Sequence, residues 1–277
     1  MTTRQLFPSL AGFEPTRKTL HLYANAVGVI PRAHGIAHPK WWHISLKIRP
    51  DGLVTDNIPL PHGGSFFLRM DLIHHVIHLT TSTGDDLTFS MTAGLTATQM
   101  GEKLIAAVAD LGLRAEYARE KFENDEPRVY EPDKAVAFFT AVTNADLVFK
   151  RHQSILDGNY GPVQLWPHGF DLAFEWFGTR TETYEEHGEV KTYPSQLNLG
   201  FYPGNEHTEP YFYSNPWPFE ADKLLDKPLP KGARWFTEGW QGSIFPYSEL
   251  EGDENAAERL LTYARTVYEV AAPTLLA

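Results

Sequence analysis

The segment WWHISLKIRPDG (residues 41–52) sets two tryptophans and a histidine at the head of an alternating pattern. Ile44, Leu46 and Ile48 recur at every second position, the period of a half-buried strand. The PDG at 50–52 is a turn signal, and GLVTDNIPL after it reads as the return strand. If the strand starts at the tryptophans, Trp41 and His43 share the face opposite those aliphatics, and Trp42 joins the core. Histidine titrates near neutrality, so His43 is a natural candidate for acid–base or binding work.

The flanks fit an antiparallel scheme. Upstream, TLHLYANAVGVI (19–30) puts Leu20, Tyr23, Ala24, Val27 and Ile30 on one helical face. Leu22, Ala26 and Val29 make a second apolar face, so this helix should be buried on more than one side. Pro31 should stop it. Downstream, SFFLRMDLI, VIHLTTS and LTFSM form a meander with turns at His74–His75 and at TGDD (83–86). Thr96 and Gln99 have the spacing of a capping box before a helical face of Met100, Leu104, Ala107, Val108 and Leu111. Gly112 stands where a C-terminal cap glycine belongs. LRAEYA offers one more strand.

The charged, proline-containing stretch at 119–133 is the best boundary, read as a solvated connection. It divides an N-terminal half (1–118) from a C-terminal half (134–277). The second half repeats the order helix, long loop, antiparallel strands, helix. A W-x-H triplet recurs as well, at Trp41–His43 and at Trp166–His168. The strand parity after the triplets differs by one residue, so an internal duplication needs a bulge near Gly169. The expected fold is α+β: antiparallel sheets with helices packed on one side, two similar halves forming one compact unit.

In the second half, Phe170, Leu172, Phe174 and Trp176 share one strand face, and Asp171, Ala173, Glu175 and Phe177 the other. Asp171 and Glu175 are too far apart along a strand to form one acid–base pair. If 196–203 and 208–214 form a hairpin, Tyr202, Tyr211 and Tyr213 share a sheet face, a composition suited to a ligand wall. The candidate ligand-binding residues are therefore Trp41, His43, His168, Asp171, Glu175, Tyr202, Tyr211 and Tyr213, converging in a cleft between the halves. No catalytic residue is assigned.

Composition narrows the partners. A net charge of -11 opposes nonspecific binding to nucleic acid or to anionic membrane, and no run of Lys and Arg builds a basic patch. The absence of cysteine removes disulfides and thiolate chemistry. Neither a signal peptide nor a membrane span is legible, so a cytoplasmic location is expected. Nucleotide-binding, zincin and hydrolase-elbow motifs are missing, and no cofactor is expected. In HHVIH (74–78), His74 and His78 on one strand would be separated by roughly 13 Å, too far to share an ion.

The pieces TLHLYANAVG, WWHISLKI, DGLVTDNIP, GPVQLWPHGFDLA, FYPG and FPYSELE, in that order along most of the chain, resemble the domain of unknown function 5996 family, an uncharacterised bacterial family. The resemblance implies a shared architecture and supplies no catalytic residues. Two functions follow as expectations. One is a small-molecule binding protein or metal-independent enzyme. The other is a noncatalytic protein–protein interaction module using an aromatic surface. Elemental analysis of dialysed protein should find no stoichiometric zinc, iron or manganese; a retained metal near one per chain would overturn the metal-independent expectation.

Overall fold

The computed structural model of the protein describes residues 5–186 and 188–277. It is an α+β protein with two antiparallel sheets. The chain divides into two compact units. One comprises Leu10–Thr143 with Gln164–Asp171; the other comprises residues up to Ser9, Asn144–Val163 and Leu172–Ala277. No helix among the described residues is long and apolar enough to cross a membrane.

The first of these units is built on helix α1 (Glu14–His34). Pro15 opens the helix where its missing N–H costs nothing, and Arg32 and His34 sit in the last turn, where the dipole favours cations. Every residue from Tyr23 to Pro31 is buried, as two apolar faces require. Pro31 does not stop the helix. Only one ladder bond is lost there, and the turn continues to Gly35, whose N–H donates to the Pro31 carbonyl at 2.8 Å.

Strands β1 (Lys47–Arg49), β2 (Gly52–Val54), β3 (Ile58–Pro59), β4 (Ser65–Asp71), β5 (Val76–Thr81) and β6 (Asp86–Ser90) form the antiparallel sheet, in the order β1-β2-β4-β5-β6 with β3 also on β4. Helix α2 (Ala97–Asp110) starts at the capping box: Thr96 Oγ1 accepts from the Gln99 N–H, and Gln99 Oε1 accepts from the Thr96 N–H. Gly112 follows the helix at φ +85°. LRAEYA is not a strand. It is a loop in which Tyr117 donates its hydroxyl to, or accepts from, His34 Nε2 at 2.7 Å.

Residues 119–133 lie inside this unit and are stitched to both helices. Thr19 Oγ1 donates to the Val129 carbonyl at 2.6 Å, the Glu131 N–H donates to Thr16 Oγ1 at 2.9 Å, and the Asn124 carbonyl accepts from the Ala97 N–H. Phe122 is fully buried against α2. The acidic side chains of the stretch are exposed, whereas the Arg128 side chain, Phe122 and the backbone are held against the unit.

Helix α3 (Pro132–Gln153) carries residues of both units. The second unit's sheet uses β7 (Asn159–Tyr160), β9 (Asp171–Glu186), β10 (Glu189–Tyr202), β11 (Tyr211–Trp217), β12 (Arg234–Phe236) and β13 (Gly242–Pro246), in the order β12-β13-β11-β10-β9-β7; strand β8 (Gln164–Trp166) belongs to the first unit. Phe7, Phe149, Phe201, Phe212 and Tyr247 form its aromatic core. Helices α4 (Ala221–Leu224) and α5 (Ala256–Ala271) complete it, with Leu224 and Ala271 in one cluster with Trp176 and Leu197.

Gly101 tests the packing of α2. A Cβ there would fall well inside contact with the Phe122 ring. Intrinsic propensity favours alanine over glycine by about 0.8–1.0 kcal/mol in a helix. Overpacking a buried aromatic costs about 1–3 kcal/mol. Gly101→Ala should therefore lower the urea midpoint. A raised midpoint would show that Phe122 can move aside.

Candidate functional site

The expected strand does not begin at the tryptophans. Trp41 is left-handed (φ 60°, ψ 15°), and Trp42–Ile44 is a single 3₁₀ turn. The Ile44 N–H donates to the Trp41 carbonyl at 3.1 Å, and Ser45 donates through its N–H and its hydroxyl to the Trp42 carbonyl. A serine that can bond locally offers the backbone this alternative to a ladder. The alternation of Leu46 and Ile48 is real, but strand parity does not reach back to residue 41. The assignment of faces is corrected accordingly. His43 is buried, Trp42 is half-buried, and Trp41 is half exposed (50%).

Each ring in this turn has a fixed neighbour. His43 Nδ1 accepts from the His38 N–H at 3.2 Å, which makes Nε2 the protonated nitrogen of the neutral ring. Burial, followed by the nearby His38 and Arg32, holds its pKa below the usual histidine range. The imidazole stacks on Trp41 with centroids 5.6 Å apart, and the Arg32 guanidinium lies 4.9 Å over the Trp41 ring. Trp42 stacks on His38 at 4.3 Å.

The segment 164–171 meets this turn within the same unit. Leu46 and Leu165 exchange two backbone hydrogen bonds of 2.8 Å each. Beside them Gln164 Oε1 accepts from Lys47 Nζ at 2.8 Å and shares with the Trp42 carbonyl the single hydroxyl proton of Ser45, whose Oγ lies 2.5 Å away. His21 Nε2 donates to the His168 carbonyl at 3.1 Å. Phe170, at φ 54°, is fully buried and stacks on Phe138 and on His21. Pro167 packs on Gly28, where a Cβ would approach its ring to 3.1 Å.

Together these elements enclose a cavity of about 430 Å³. Its walls are mainly apolar: Trp41, Trp166, Ile44, Val29, Gly28 and Pro167. Arg32, Lys40 and Lys121 also line it, with Asn25 and His168. No carboxylate does. Among the described residues, no acidic group forms an ion pair with Arg32 or Lys121. A second cavity of about 370 Å³ differs in this respect. There Lys47 stands 3.5 Å from Asp56, and Arg69 stands 3.2 Å from Asp51, so its charges are matched internally.

Of the sequence candidates, Trp41 and His168 line the first cavity. His43 stands behind Trp41 as a support. Asp171 closes the segment, its carboxylate folded back over Gly169. Glu175, Tyr202, Tyr211 and Tyr213 belong to the other unit. Glu175 pairs with Asn198 in the β9–β10 ladder, while Tyr202 pairs with Tyr211 and their rings lie 5.5 Å apart. Tyr211 and Tyr213 extend to Trp240, the expected shared aromatic face. Sequence reasoning missed Arg32, Lys40 and Lys121, which are scattered along the chain and form no run. Among the described residues no group of three His, Asp or Glu side chains is placed to hold a metal ion; His74 pairs with Asp71, and His78 with Asp86.

These positions separate two residues that strand parity would place on one non-core face. His43→Ala removes a buried acceptor and should cost about 1–3 kcal/mol. Trp41→Ala removes a half-exposed ring and relieves little core, so its cost should stay near 1 kcal/mol. Urea unfolding of the two variants checks this; a larger loss for Trp41→Ala would put that ring in the structural core.

No curated protein and no solved structure matches the chain. The model of the family of unknown function DUF5996 matches residues 7–275, spanning both the tryptophan turn and the 164–171 segment, and the chain belongs to that family.

Proposed function

We propose that this protein binds a small organic anion in the cavity lined by Arg32, Lys121, Trp41 and Trp166. The observation that carries the proposal is the charge of the lining. Arg32 and Lys121 share a lining without a carboxylate, and no acidic group among the described residues forms an ion pair with either, in a chain whose net charge is -11. Their like charges repel one another, and an anionic ligand relieves that repulsion. A unit charge about 4 Å from a cation near a protein surface gains about 4 kcal/mol before desolvation is subtracted. The apolar walls exclude water around that contact and take up the uncharged part of the ligand. The volume falls within the roughly 300–1,000 Å³ typical of small-molecule sites.

His168 is the lining's only imidazole, and its ring stands 5.7 Å from that of Trp166. With no carboxylate to orient it at the wall, the arrangement suits holding an anion better than relaying a proton. The polar contacts around it are ones that fix the loop: the His21 bond goes to the His168 backbone carbonyl and leaves the ring out.

The test is a thermal-shift panel of small carboxylates and phosphate monoesters, each paired with its neutral amide or alcohol, followed by calorimetry on the hits. Anions should stabilise the protein, and their neutral counterparts should not. Arg32→Gln and Lys121→Gln should each weaken binding about tenfold, equivalent to about 1.4 kcal/mol, while leaving unfolding without ligand nearly unchanged. Binding should also weaken as salt is added, since part of the site is open to solvent. Equal binding of acids and neutral counterparts, or no stabilising anion in the panel, would refute the proposal.

A further inference from the structure

Resting on that assignment of an anion site, we infer that the ligand carries an aromatic ring beside its anionic group. The cavity combines two indoles, Trp41 and Trp166, with its cations. Trp41 is the informative one. Its backbone is left-handed, a conformation that L side chains other than Asn and Asp adopt rarely and at an energetic cost. A buried ring would offset that cost through its own packing. This ring is half exposed, so burial offsets it only in part.

The surroundings keep the ring in place nonetheless. His43 stacks on it at 5.6 Å, and His43 is in turn held by the His38 N–H. The Trp41 carbonyl is tied by the Ile44 N–H. The protein therefore fixes a flat, electron-rich surface at the wall of a cavity. Arg32 lies 4.9 Å over that same ring, so charge and π-face fall within reach of one small molecule. A guanidinium that already contacts an indole can hold an acid group while the attached ring stacks alongside. A saturated ligand of equal charge would satisfy Arg32 and Lys121 but gain no π contact with the indoles of the lining.

The cavity also limits ligand size. At about 430 Å³ it lies at the lower end of small-molecule sites and admits a ligand of one or two rings. Both an aryl carboxylate and an aryl phosphate meet the requirement, and the probes below separate them.

Calorimetry on the full chain with 2-naphthoate, decahydro-2-naphthoate, 2-naphthyl phosphate and 2-naphthamide tests the inference. The aromatic acid should bind about tenfold more tightly than its saturated counterpart. Trp41→Leu should erase that preference, weakening 2-naphthoate about tenfold more than decahydro-2-naphthoate, with circular dichroism confirming the fold. Tighter binding of 2-naphthyl phosphate than of 2-naphthoate would support the inference and identify a phosphate head group. Equal binding of the aromatic and saturated acids, both lost in Arg32→Gln, would overturn the ring requirement and leave the anion site standing. Binding of 2-naphthamide as tight as the acids would overturn the anion site instead. If no probe bound, both would fall.

Discussion

Two backbone hydrogen bonds between Leu46 and Leu165 hold the candidate site together. A pair of this kind contributes only about 1 kcal/mol per bond to stability. Its larger effect is on topology. It carries Trp166, Pro167 and His168 to a turn and a helix encoded far upstream, and without it the cavity would lack one wall. The side chains around it reinforce the junction. Gln164 accepts from both Ser45 and Lys47, and burial, opposed by the nearby Asp56, depresses the Lys47 pKa below the usual lysine range. Phe170 then anchors the far end of the segment among the aromatic rings of the unit. A polar clasp at one end and an apolar plug at the other define the loop between them.

Much of the architecture was legible from residue order. The apolar period of 19–30 marks a helix, and the spacing of Thr96 and Gln99 marks the start of another. The meander from Ser65 to Ser90 follows its alternation and its turns. Prediction failed where local bonding overrode a period. Trp41 and Trp42 look like the head of a strand, but Ser45 bonds back to Trp42 and closes a tight turn. Strand parity is informative only inside a strand, so it assigned His43 and Trp42 to the wrong environments. Residues 180–185 and 189–194 show no apolar alternation for a different reason: they build the outer parts of β9 and β10 from Thr, Glu and other largely exposed residues, so no core face imposes one.

The repeated W-x-H triplet was a real sequence coincidence with a misleading implication. Trp41–His43 precedes its bridging leucine, Leu46, whereas Trp166–His168 follows Leu165. Both triplets contribute to one cavity, but they are not equivalent positions. The two leucines each stand the same number of residues beyond the end of the preceding helix, α1 or α3. The basic character of the cavity escaped notice because a search for clustered Lys and Arg reads the chain in one dimension. Arg32 closes a helix, Lys40 sits in the loop before the tryptophans, and Lys121 belongs to a stretch that looks acidic and solvated.

An acidic protein with a cationic cavity treats an approaching anion differently at different distances. Far from the surface, the net charge of -11 dominates and the encounter is uphill. Within a few ångströms of Arg32 and Lys121, the local field has the opposite sign. Salt screens the distant repulsion first, because the Debye length is about 8 Å at physiological ionic strength. Capture and retention are thereby uncoupled: a moderate rise in ionic strength speeds the arrival of a charged ligand while shortening its stay. An anion held there as proposed would accordingly exchange faster in a saltier medium, even as its bound fraction falls.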